Sequence, residues 1–214
     1  MWRLCVLMGS TLLMAAGTSL LLRFIRQIDR ETMGKVPLPW RGMVPLGSLL
    51  WGLLCCYRAG IGEAPENRNV SMIRFLSLLV WGIYLLTCSI TDQLTFYVYS
   101  FLHYPTLLAG ILYWYTMDVT ADAGWAILFY GLVHLLLFSK LFGRGDSLVY
   151  VISAFFLTGP WDNALRYLCH MALTFALLGV ISLLKGNINK RGNLKHPVAL
   201  VPYIMVAAWM CLIE

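Results

Sequence analysis

Phe142-Gly143-Arg144-Gly145-Asp146 and the apolar runs on either side of it decide the fold. Residues 124–142 before it and 147–159 after it are almost wholly apolar. A short turn of Gly, Arg and Asp between two such runs reads as the boundary between membrane spans. Upstream, Ser89-Ile90-Thr91-Asp92 closes another apolar run with a second carboxylate. An ionisable residue at a span boundary in so apolar a chain needs a reason.

Outward from this turn the pattern repeats. Apolar runs fall at 4–22, 44–57, 73–90, 97–117, 124–142, 147–159, 164–184 and 197–213, separated by short polar clusters. The 214 residues are 60% hydrophobic and 12% charged, with mean hydropathy +0.74. A soluble domain of this size could not hide so much apolar surface. Lipid offers the backbone no hydrogen-bond partner, so each span is expected to be helical. A β-barrel would need short alternating segments rather than continuous runs. The expected fold class is all-α, a polytopic transmembrane helical bundle of about eight spans. Residues 1–72 form an N-terminal two-span region and 73–214 a six-span core. The runs at 44–57 and 147–159 are shorter than a full span. The run at 4–22 meets Arg23 and Arg26 directly, a stop-transfer pattern that favours a retained helix over a cleaved signal.

Loop charge sets the orientation. Arg23, Arg26, Arg30, Lys35 and Arg41 collect in 23–42; Lys185, Lys190, Arg191 and Lys195 in 185–196; Lys140 and Arg144 at the 140–146 turn. These are most of the sixteen basic residues, and the positive-inside rule assigns them to the cytoplasm. Eight crossings satisfy all three loops at once. The loop with Asp118 and Asp122 then faces outside, as does the loop with Arg58, Glu63, Glu66 and Arg68. Asp92 closes an inbound helix and Asp146 opens an outbound one, both at the cytoplasmic face. The net charge of +6 is therefore loop charge, not a nucleic-acid surface, because no basic patch is interleaved with accessible aromatics. Trp81, Trp114, Trp125, Trp161 and Trp209 are expected mostly as interface anchors.

The six cysteines lie largely inside apolar runs and read as small buried hydrophobes. The four histidines show no metal-ligand spacing, and no metal or other cofactor is expected. The chain has no G-x-S-x-G, no H-E-x-x-H and no P-loop. What remains is the pair Asp92 and Asp146. Each alone has a bland reading, as a solvated helix end or a helix-capping residue in a Gly-rich turn. Together, two carboxylates within hydrogen-bond range share one proton. The ionised one can then take a proton from water while the other donates to a carbonyl. Gly143 and Gly145 free the backbone before Asp146 and allow close approach of another segment.

The arrangement resembles the type IV prepilin peptidases, the G-x-G-D membrane aspartic peptidases. The likeness rests on Ser89-Ile90-Thr91-Asp92 at a helix end and on Gly143-Arg144-Gly145-Asp146 two spans later. It is joined by His196-Pro197-Val198-Ala199-Leu200-Val201-Pro202-Tyr203 after a basic loop. Leu38-Pro39-Trp40-Arg41-Gly42-Met43-Val44-Pro45-Leu46-Gly47-Ser48-Leu49-Leu50 is similar to the segment before the second span of bacterial members. The resemblance implies a bacterial-type plasma (inner) membrane enzyme with its active site at the cytoplasmic face. Asp92 and Asp146 would be catalytic. The partner would be a prepilin or pseudopilin precursor, whose basic leader is removed while its apolar helix stays in the lipid bilayer. Pro197 and Pro202 would open a groove for that helix or merely kink the last span. Larger bacterial members carry two Cys pairs in the first cytoplasmic loop; loop 23–42 has no Cys, so neither zinc nor N-methyltransferase activity is expected. Leu148 also stands where members commonly have Lys. The alternative reading is a catalytically inactive membrane assembly factor or small transporter on the same scaffold.

Overall fold

The structure, a computed structural model, describes residues 2–33, 40–58, 68–117, 120–158, 163–187 and 196–213. Lys35, Leu38, Pro39, Glu63, Glu66, Asp118, Trp161, Lys190, Arg191 and Lys195 lie outside the described residues, so the loop-charge expectations that use them have no structural counterpart. Among the described residues the chain is helical throughout, with no strand. Helices α1 (Trp2–Ile28), α2 (Arg30–Met33), α3 (Trp40–Arg58) and α4 (Arg68–Thr95) are followed by a 3-10 turn at Ser100–Leu102. Helices α5 (His103–Tyr115) and α6 (Ala121–Val133) come next. A π-helical segment, His134–Phe138, joins α6 to α7 (Ser139–Phe142). Helices α8 (Arg144–Leu157), α9 (Asn163–Leu184) and α10 (Val201–Ile213) complete the order.

Four stretches are long and apolar enough to cross a membrane: Cys5–Ile28, Asn69–Thr95, Ala121–Phe142 and Asn163–Leu184. Gly42–Cys55 and Val201–Leu212 are apolar but shorter. The 97–117 run is not one helix. It begins extended, passes through the 3-10 turn and leaves α5 with 13 residues. Pro45 lies inside α3, where its missing N–H removes one rung of the helical ladder.

Helix α4 is the hub. Some 67% of its most apolar window is buried, against 17–22% for the other three long stretches. Helices α1, α3, α5 and α10 pack around it, and α8 touches it. At its middle, Trp81 stands edge-on to Trp51 of α3, with centroids 5.1 Å apart, and stacks on Phe156 of α8 at 4.5 Å. Trp81 is therefore a core residue with 0% exposure, not an interface anchor. Trp125, at 69% exposure, faces outward as expected. The Trp51 indole donates to the Leu78 carbonyl at 3.1 Å. Gly82 makes this seam possible, because a methyl there would overlap the Trp51 indole and stand 2.6 Å from Met14 Cε. Small residues let apolar helices approach closely where lipid supplies no hydrophobic drive between them. Cys55, Cys88 and Cys211 are buried as expected of small hydrophobes, while Cys5 and Cys169 are exposed.

Candidate active site

Asp92 lies in the last turn of α4 and is only 5% exposed. Its Oδ2 accepts the backbone N–H of Val201 at 2.9 Å, and the Leu200 N–H is also directed at the carboxylate. Val201 is the first residue of α10. The carboxylate thus sits at the positive end of the α10 dipole, where N–H groups lack helical partners.

Asp146 is half-buried in the first turn of α8. It is not the helix cap. Gly143 holds that position, at φ 104°, and its carbonyl accepts the Ser147 N–H at 3.2 Å. That backbone conformation suits glycine and disfavours L side chains. Gly145 has a different task. A Cβ built on it would stand 3.1 Å from Val98 Cβ, so this glycine lets the start of α8 press against the segment leaving α4. The two acid-bearing elements therefore meet at this contact.

Asp146 thus opens a helix that touches the one Asp92 closes. The Cys88 thiol lies buried one turn before Asp92. Tyr84, also buried, lies one turn earlier. Its hydroxyl meets His103 Nδ1 at 2.8 Å. Tyr84, Cys88 and Asp92 recur every four residues and form one stripe of α4 facing α8 and α5. Cysteine-counting and histidine-spacing overlook Cys88 and His103; the i, i+4 spacing back from Asp92 is the sequence signal that finds Tyr84 and Cys88.

A cleft of about 530 Å³ adjoins the Asp92 end of α4, although neither acid lines it. Gln93 and Phe96 line it from the end of α4, Lys185 from the end of α9, and Pro197, Val198 and Pro202 from the approach to α10. Both prolines named from the sequence thus line one cleft, next to the residues that flank Asp92 and its partner Val201. Phe96 adopts φ 55°, which ends α4 and is costly for a side-chain-bearing residue. The cleft is braced from outside. Asn187 Nδ2 donates to the His196 carbonyl at 3.3 Å, and the His196 N–H donates to Asn187 Oδ1 at 3.1 Å.

The segment after α4 is anchored at a second point. The Tyr99 hydroxyl donates to Asp29 Oδ2 at 2.7 Å, just beyond the end of α1. That bond, with further bonds from Thr32, holds the Asp29 carboxyl below its ordinary value. Partial burial and the Asp29 bond push the Tyr99 hydroxyl up.

No group of three or more His, Cys, Asp or Glu that could hold a metal occurs among the described residues. The arrangement sets two carboxylates at neighbouring helix ends, with a cleft adjoining the Asp92 end of α4. No protein-family model matches the chain, and neither the curated proteins nor the solved structures give a significant match.

Proposed function

We propose that the chain is a membrane aspartic endopeptidase that removes basic leader peptides from prepilin-like or pseudopilin precursors. The observation that carries the reading is the packing of α8, which opens with Asp146, against α4, which ends with Asp92, so that two acids far apart in sequence stand on neighbouring helix ends. The G-x-G-D resemblance supports it independently. In this reading about eight crossings, four of them by the long helices and the rest by shorter or broken ones, bring both acids to the cytoplasmic face of a bacterial-type plasma membrane.

The chemistry follows from a shared proton. One carboxylate, ionised, takes a proton from water as the water oxygen attacks the scissile carbonyl. The other, protonated, donates to that carbonyl oxygen, so no covalent enzyme intermediate forms. The leader's basic residues stay at the cytoplasmic surface. The precursor's apolar helix lies along the cleft walled by Pro197 and Pro202.

The second reading, a non-catalytic assembly factor or small transporter, is favoured by one observation. Asp92 already has a structural task in capping α10, which would explain it without chemistry. Co-expression with pilin-like precursors from the same genome separates the two. Leader removal, read as a gel shift, is expected with wild type and is lost with Asp146→Asn. Processing that survives in that variant removes Asp146 from the mechanism.

A further inference from the structure

A second polar cluster lies where the Ala121–Phe142 stretch, α8 and α9 pack together, and the peptidase reading does not use it. His134 is fully buried, and neither of its ring nitrogens has a partner. It opens the π-helical segment of the Ala121–Phe142 stretch, a local widening of the kind that often marks a functional position. Its ring lies 4.3 Å from Tyr130 and 4.7 Å from Tyr150. Tyr150 in turn lies 5.2 Å from His170. His170 is fully buried too; its Nε2 meets the Ile204 carbonyl at 3.1 Å, which makes that nitrogen the donor and leaves Nδ1 a lone pair with no partner. The Tyr130 hydroxyl and the Ser147 and Ser153 hydroxyls are likewise buried and unpartnered. Ser147, Tyr150 and Ser153 recur every three residues on α8, so this stripe begins beside Asp146 and runs inward.

This many unpartnered polar atoms on three helices that pack together would be strongly unfavourable in a dry interior. Each donor and acceptor needs a small partner of both characters, and water is the ligand that satisfies lone pairs and N–H or O–H groups together. We propose that Tyr130, His134, His170 and Ser147 enclose a hydrated internal chamber that opens toward Asp146. Its value as a water supply for hydrolysis rests on the peptidase reading; its existence does not.

X-ray radiolysis of the purified full chain in nanodiscs, followed by mass spectrometry, tests the chamber without any substrate. Radicals formed from bound water mark the side chains that touch it. Tyr130 and His134 are expected to be oxidised several-fold faster than Trp51 and Met14, which are intrinsically reactive but buried in apolar surroundings. Brief exposure to isotopically labelled water should show slower incorporation at Tyr130 than at exposed Tyr115. His134→Phe should lower oxidation at Tyr130 several-fold while Trp51 stays silent. Tyr130 and His134 no more oxidised than Trp51, together with a rise in melting temperature for His134→Phe, would show a dry cluster and overturn the proposal. Loss of leader removal in wild type, with Tyr130 still oxidised, would count against the peptidase reading alone.

Discussion

Asp92 Oδ2 accepts the amide of Val201 at 2.9 Å, so a side chain on α4 caps the last helix across more than half the chain. This contact gives Asp92 two separable tasks. Asn keeps an acceptor oxygen for the Val201 N–H but cannot ionise, whereas Ala loses both. Asp92→Ala should lower stability by about 1–2 kcal/mol, the usual cost of a lost cap. Asp92→Asn should melt close to wild type. Both should reduce leader removal by about 10²–10⁴-fold, the usual contribution of a general acid or base. Thermal unfolding in detergent and a gel-shift time course read the two effects. An active Asp92→Asn would leave Asp92 as a cap alone.

The glycines of the turn should fail in different ways. Gly143→Ala puts a side chain at φ 104° and should cost about 1–2 kcal/mol of stability. Gly145→Val should instead drive the start of α8 away from Val98 and so separate the acids. Its signature is a fall in leader removal larger than its fall in melting temperature.

Gly82→Ala tests the hub. A methyl there overlaps the Trp51 indole, and the Trp51 bond to Leu78 leaves that ring little room to yield. Overpacking of this kind costs about 1–3 kcal/mol. Melting of the purified variant should drop accordingly, while Gly42→Ala, which meets nothing within 4 Å, should not change it.

The Asp29–Tyr99 bond predicts a pH dependence. Asp29 titrates below its ordinary value when folded, mainly because Tyr99 donates to it. A depressed folded value contributes stability above the unfolded value of about 4, and that contribution is lost as pH falls through the folded value. Melting temperature should therefore decline on acidification below about pH 4. Tyr99→Phe should flatten that decline and leave the neutral-pH profile unchanged in shape.

Much of the fold was legible because lipid imposes a crude rule. Continuous apolar runs marked the four long helices, and loop polarity marked their ends. Helix faces were less legible. Trp81 stands in the middle of the 73–90 run, which already speaks against an interface anchor, but that three helices close on it could not be read from a sequence apolar on every side. The break before α5 was hidden for a related reason, since 97–117 stays apolar through a 3-10 turn. At the site, the two acids could be found by their boundary positions. The partner of Asp92 could not, because a backbone N–H leaves no trace in residue type. The π-helical start at His134 has no residue signature either.

The Asn187–His196 clip has a practical consequence. Two hydrogen bonds fasten the end of α9 to the segment leading into α10, so the clip itself holds those two ends together. Loss of the Asn187 amide should therefore release one wall of the cleft while the Asp92 bond to Val201 persists.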